Sequence, residues 1–540
     1  MAKYPSIFTQ VLGPVGPGPS SSSTCGMARV GYLAHQIFNG VPEKARIKLP
    51  RAGVFPGTWQ GMRSDIALLT GLLGREQTHP RFIRAYEDAK TAGLSFETEL
   101  VDWEIDGTCQ LLGIEMAGKD REGRTLSLSV EGDSTGGGTC LIRKINDCSL
   151  DIRGDQHELL LFFNGTAGEK EVAMAACQAA PSLNQALWAA PEKKAAGDTE
   201  GKIRGIIQLK LGAPLPGNIR GRLGGLPGVE LARDILPVHP VVLDIRRRPP
   251  FATPEEFEAY CGQRKCQLWE AAAAYESALS GWSAEEVLAY AESLWQTIGR
   301  SIEKGLEGSF DMNGVMEPTA HGLERDFSLG KWLDLGILNT ALPAALGVME
   351  YSNASGTVVY LPTGGSSGIL PGTLRGAKRA FGAADEDMAK ALLVAGMIGV
   401  FMAEDNNFSG CQYGCQAEVG CAAAMAAGAL THFLGGTARQ ACDSAAMALQ
   451  STLGLICDTV AGLVQVPCLA RNIAGTAVAY ACANSVMAGF PVVIGLREMT
   501  GALKEVGREL VKIGMRGACT SPEGKRLARE QEKRNPRLRR

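Results

Sequence analysis

The chain of 540 residues is short of histidine, of net charge and of long hydrophobic runs. With only six histidines, few side chains titrate near neutrality without help, so proton transfer has to draw on other groups as well. A net charge of −3 gives no basic field, and neither nucleic acid nor a membrane surface is an expected partner. The longest apolar run, Ala391 to Ala403, holds 13 residues between Lys390 and Glu404, against the roughly 20 of a membrane helix. It reads as a buried helix. The opening MAKYPSIFTQVLGPVGPGPSS lacks the basic-then-apolar plan of a secretory leader. Cysteine, by contrast, is plentiful: fifteen thiols without such a leader imply a reducing cytoplasmic setting, free or metal-bound sulfur, and no disulfide framework. The length allows two or three domains with sizeable cores.

Six of the cysteines, from Cys411 to Cys468, crowd into an Ala/Gly-rich stretch. Three of these stand in phrases unlike ordinary helix surface: GCQAEVG around Cys415, LGLICDTV around Cys457 and GLVQVPCLARN around Cys468. A free Cys in an Ala-rich helix is usually a small buried hydrophobe. As ligands, thiolates select zinc, copper(I) or iron-sulfur centres. No CxxC pair with a matching CxxC or HxxxH occurs among the three, so the ligands would come from separate elements. Three thiolates on a four-iron centre leave one iron without a protein ligand, open to a substrate oxygen.

In this order, the three phrases resemble the catalytic part of the iron-sulfur-dependent L-serine dehydratases. The likeness runs from about Pro250 to Ala528 and includes LPTGGSSGILPG, Leu361 to Gly372, similar to the family's PTNGAAGIIP-type phrase. It implies that Cys415, Cys457 and Cys468 bind a [4Fe-4S] cluster. A second resemblance covers the N-terminal region: GPSSSSTCGMARVG is similar to the family's GPSSSHTVGPMRAG, TWQGMRSDIALLTGLLG to its TGKGHGTDKAxLLGLLG, and SVEGDSTGGGTCLI to the segment closing its first domain. The departures are informative. Ser23 and Met62 stand where the family has histidines, and no His occurs from Asp106 to Gln110, where a third is expected. Those histidines are thought to handle protons or the substrate carboxylate, and neither Ser23 nor Met62 can act as a base at neutral pH.

The expected fold is α+β multidomain. Residues 1–150 form a mixed α/β domain by resemblance, with a helical pattern from Met27 to Phe38. Residues 151–245 read as a small α/β insert: strand-like ELLLFFN and GIIQLKL flank a helical Gly168 to Ala179. RRRPP, Arg246 to Pro250, looks like a linker. Residues 246–540 read as a largely all-α catalytic domain, with capping boxes at Thr253 to Glu256 and Ser283 to Glu286 starting two helices of about 20 residues. Strand pattern returns there only at Thr357 to Leu361. From about 525 the tail, eight basic and two acidic residues in sixteen, reads as disordered and solvated.

Candidate substrate-binding groups are Ser20, Ser21, Ser22 and Ser23, whose hydroxyls and backbone N–H groups precede a helix and suit a carboxylate. The donor-rich loop Thr363, Gly364, Gly365, Ser366 and Ser367 suits one too. Arg471 and Asn472 follow Cys468 by three and four residues, on its helical face. For the proton acceptor the candidates are His321, Glu418 and Cys411. Cys519 lies where the chain might fold back over the cluster, but about twenty residues follow it.

These observations point to a cytoplasmic [4Fe-4S]-dependent lyase, expected as a homodimer, acting on a small amino acid or hydroxy acid. The resemblance implies L-serine, converted to pyruvate and ammonia. The missing histidines keep L-cysteine, with sulfide leaving, or another β-substituted acid open. A cluster-bearing sensor without turnover and a zinc protein are the readings from other classes.

Overall fold

The computed structural model describes residues 4–105, 110–192, 204–403, 408–513 and 517–534. Asp106 to Cys109, where the third family histidine was expected, lies outside the described residues, as do the last six residues of the tail. The architecture is α+β: a sheet-rich N-terminal half and a helical C-terminal half.

A six-stranded sheet carries the order Ser95–Val101, Lys44–Pro50, Leu111–Lys119, Thr125–Gly136, Thr139–Ile145 and Cys148–Ile152. Its first pair is parallel and the rest antiparallel. The helix Met27–Phe38, with the range its periodicity gives, buries Val30, Leu33 and Ile37 against it. The insert folds strand-helix-strand-strand-helix-strand, the four antiparallel strands standing in the order Val229–Ile235, His157–Phe163, Gly205–Leu211, Leu183–Ala189. This is a ferredoxin-like arrangement. Its run ELLLFF is continuously apolar because both faces are covered. Leu160 and Phe162 join the core of the six-stranded sheet, while Leu159, Leu161 and Phe163 pack with Cys177 and Leu223 of the insert's own helices.

In the helical half the Thr253 and Ser283 capping boxes are both formed. The first starts a helix of only 11 residues, Pro254–Arg264, shorter than the expected 20, because Lys265 adopts a left-handed conformation at its end. The second starts Ala284–Glu307, 24 residues long. The apolar run lies within Asp385–Ala403, buried almost all round. Among the described residues no helix is long and apolar enough to cross a membrane.

The first residues of the chain belong with this helical half. Ile7, Phe8, Val11 and Leu12 enter its core. A Cβ on Gly399 would stand 2.1 Å from Val11 Cγ1, so that glycine is what lets the segment press against the central helix. Ser6 Oγ and Ile7 N donate to the buried carboxylate of Glu276 at 2.5 and 2.7 Å. Val15–Pro17 then pairs antiparallel with Thr357–Val359. The six-stranded sheet ends with Cys148–Ile152 and the insert's sheet runs from His157 to Ile235, while residues 6–19 attach to the helical half. At the other end the described part of the tail departs from the expected disorder: Pro522–Arg534 is a helix. Ser521 Oγ accepts from Gly524 N at 3.0 Å, and Arg526 pairs with Glu523 and Glu530.

Candidate active site

The phrase around Cys415 is a tight turn before a buried helix. Gly414 has φ 77°, and a Cβ there would stand 2.5 Å from Leu455 O, so only glycine admits the turn that presents the thiol. Gln416, which no sequence motif singles out, staples this turn to the approach to Cys457. Its backbone N–H donates to Leu455 O at 3.1 Å. Its amide oxygen accepts from Gly454 N at 2.8 Å, and its amide nitrogen donates to Leu503 O at 2.9 Å. Cys468 sits just after Pro467, at the start of the regular part of the helix Gln465–Met487.

The three thiols converge from these three elements. Cys457 and Cys468 both hydrogen-bond the sulfur of Cys415, and Arg471 reaches it too; together these contacts hold the Cys415 thiol well below its ordinary range. Burial and that same contact push Cys457 and Cys468 up. No three His, Cys, Asp or Glu side chains among the described residues stand at metal-coordination spacing; these sulfurs touch each other instead. Arg471 Nη2 lies 2.9 Å from Asp458 Oδ1. This is a charge contact without hydrogen-bond alignment, since that oxygen has no hydrogen-bond partner. Arg471 Nη1 also donates to Ile456 O at 2.8 Å.

The thiols open onto a cavity of about 720 Å³. Ser20, Ser22, Ser23 and Met62 form its N-terminal wall. Ser20 Oγ accepts from Ser23 N at 3.2 Å, and Gln110 Nε2 donates to Ser23 Oγ at 2.9 Å. Ser21 is buried behind this turn, against the Thr363–Ser367 loop: a Cβ on Gly364 would meet Ser21 N at 2.6 Å. Within that loop only Gly365 lines the cavity. Ser366 and Ser367 donate to backbone carbonyls of Leu361 and Thr363. Asn472, fully buried, donates to Gly365 O and accepts from Gly368 N, so it fixes the loop and does not reach the cavity.

Thr363 Oγ1 donates to Glu418 Oε1 at 2.8 Å. Glu418 faces the cavity from within the chain, and burial together with the nearby Cys415 pushes its carboxyl up to about 8. Cys411 is exposed and lines the same cavity. His321 does not: it stands exposed at the start of the helix Ala320–Ser328, away from the cavity wall. Cys519 and the inner side of Pro522–Arg534 complete the wall. The SPEG start of that helix was the available signal for this, masked by the basic composition that follows.

The donor set suits a soft centre. Three thiols converge, one already favouring the thiolate, with a cavity on their open side. No histidine lines the cavity to close a four-ligand zinc site.

The family model described as "Serine dehydratase alpha chain" matches residues 263–518. The chain is 36% identical to the "Probable L-serine dehydratase, alpha chain" of Bacillus subtilis over 234 residues, 43% of this chain and 78% of that protein. It is 30% identical to the "L-serine dehydratase, alpha chain" of Peptoniphilus asaccharolyticus over 283 residues, 52% of this chain and 97% of that one. To "L-serine dehydratase 1" of Escherichia coli it is 34% identical over 233 residues, 41% of this chain and half of the relative.

Proposed function

Since this chain belongs to the L-serine dehydratase family, a family of lyases, we propose that it eliminates water from L-serine, giving pyruvate and ammonia, with a [4Fe-4S] cluster held by Cys415, Cys457 and Cys468. The observation that carries this reading is the convergence of three thiols from three separate elements on one cavity that Ser20, Ser22 and Ser23 also line. Such a cluster supplies a Lewis-acidic iron to polarise the leaving hydroxyl.

The protein's own groups do the rest. The Ser20, Ser22 and Ser23 hydroxyls, on the same cavity as the thiols, orient the substrate's polar groups. Thr363 Oγ1 occupies Glu418 Oε1, so the proton that Glu418 carries near neutrality sits on Oε2. With its carboxyl at about 8, Glu418 can exchange a proton in either direction at physiological pH. It is the proton carrier we assign, with Cys411 the other titratable side chain among the candidates on the cavity wall. The aminoacrylate left by loss of water tautomerises and hydrolyses to pyruvate and ammonia outside the need for any further group. Arg471 and Asn472 position Cys415 and the Gly365 loop. The same reading carries a cytoplasmic setting, since every described cysteine is free of disulfide, and a homodimeric assembly.

A second substrate is favoured by one feature. Met62, an apolar thioether on the cavity wall, suits a sulfur leaving group, so L-cysteine yielding sulfide is the alternative. Anaerobic purification with iron and sulfide analysis, followed by assay of pyruvate, ammonia and sulfide from L-serine and L-cysteine, tests both. Protein without iron or visible colour overturns the cluster reading. An intact cluster with no turnover of either amino acid overturns the lyase reading and favours a sensor.

A further inference from the structure

The cavity wall carries three cationic side chains, Arg51, Lys525 and Arg529. Arg51 is already engaged, its Nε 3.1 Å from Asp102 Oδ1. Lys525 and Arg529 have no ion-pair partner among the described residues. They lie four residues apart on one face of Pro522–Arg534, one turn from each other. Arg526, on a neighbouring face, is taken up by Glu523 and Glu530. Glu532 also lines the cavity, which leaves two cations against one carboxylate on the inner side of this helix. Like charges at this spacing repel unless an anion lies between them.

The helix is registered against the thiols. Ala518 N donates at 3.0 Å to Oδ2 of Asp458, the residue next to Cys457. Farther along, Gln531 Nε2 donates to Asn313 O at 3.0 Å. The face bearing Lys525 and Arg529 is therefore held toward the cavity from both ends. Ser20, Ser22 and Ser23, which also line the cavity, offer neutral donors only.

We propose that Lys525 and Arg529 form the carboxylate-binding subsite of this cavity, so that the C-terminal helix is a wall of the substrate site and not a solvated tail. The amino acid or hydroxy acid would lie with its carboxylate toward this helix and its β-substituent toward Cys415, Cys457 and Cys468. The inference rests on the lyase reading of the same cavity and adds which end of the substrate points where.

The test compares cluster-loaded wild type with Lys525→Ala, Arg529→Ala, the double variant, Arg529→Lys, and Lys533→Ala, an exposed cation of the same helix off the cavity wall. Each is assayed for steady-state turnover of L-serine and titrated calorimetrically with L-serine and with serinamide, which lacks the carboxylate. Losing charge-assisted hydrogen bonds to the carboxylate should weaken L-serine binding and raise KM by about 10- to 100-fold in the double variant, with kcat changed far less. Arg529→Lys should recover part of the loss, Lys533→Ala should match wild type, and serinamide should bind all the proteins alike. A double variant with L-serine affinity within about twofold of wild type overturns the proposal, as does an equal loss for serinamide. If wild type lacks the cluster or turnover, the lyase reading fails by itself, and the calorimetric difference between wild type and double variant still decides the subsite. Wild type that binds no L-serine overturns both.

Discussion

The two ends of the chain reach the same cavity by opposite means. The N-terminal segment is threaded through the helical core: Ile7, Val11 and Leu12 are fully buried, Glu276 holds the start, and pairing of Val15–Pro17 with Thr357–Val359 delivers Ser20 to the site. The C-terminal helix is laid on from outside, with only Gly524 and Gln531 buried along it. One wall of the site therefore shares the stability of the whole fold, whereas the other depends on a few polar ties. Local openings draw on weakly buried elements, so substrate passage is expected on the C-terminal side.

The thiols lie between these walls, and Cys457→Ala is expected to have the largest effect. Iron, visible absorbance and ammonia-lyase turnover should all fall to background while the fold persists, since Cys457 is not fully buried. Metal analysis beside circular dichroism checks this, and a variant that keeps its colour removes Cys457 from the ligand set. Next comes Ile7→Ala. A fully buried isoleucine replaced by alanine costs about 2–5 kcal/mol, read by denaturant unfolding. A cost under about 0.5 kcal/mol, the level of a surface substitution, would mean that the N-terminal segment is not part of the core.

The pH dependence of stability sharpens the same point. Burial pushes the Glu276 carboxyl from its ordinary 4.5 up to about 7. Between those values the folded state holds a proton that the unfolded chain has lost, so stability falls as pH rises through this window. The contribution is complete below about pH 4.5 and gone above about 7, a swing of at most about 3 kcal/mol. Glu276→Gln should flatten that part of the profile. An unchanged slope would assign the dependence to another group.

What the sequence disclosed and what it hid divide along the same line. The Met27–Phe38 helix, both capping boxes and the two insert strands follow from local periodicity and caps, which need no distant partner. The early stop at Lys265 depends on one left-handed residue with no Gly or Asn to announce it. The attachment of residues 6–19 to the helical half rests on long-range pairing with Thr357–Val359, which no local pattern encodes. In the site, the three cysteine phrases were legible as unusual chemistry, and they stand together. Gln416 was invisible because its work is to join two turns far apart in sequence. His321 attracted notice as a histidine in a Gly/Pro-broken stretch of the helical half, and packing places it away from the cavity. The C-terminal helix was hidden by its own charge, since eight basic residues in sixteen resemble a solvated tail until a tertiary contact holds them.

Gln531 is that contact, and its removal is the smallest and most discriminating perturbation. Its side chain is 5% exposed and donates to Asn313 O, in a loop that Gln465 also holds through Val315 N and Met316 N. Gln531→Ala removes one neutral hydrogen bond, about 1 kcal/mol. The thiols and the N-terminal wall have no share in that bond, so the loss should appear as local detachment and not as global unfolding. Amide exchange across Pro522–Arg534 should quicken about fivefold, with KM for L-serine rising by no more than that. Global stability should stay within about 0.5 kcal/mol of wild type. A global loss comparable to that of Ile7→Ala would show that the C-terminal helix is welded into the fold as firmly as the N-terminal segment, and the two walls would then have to open together or not at all.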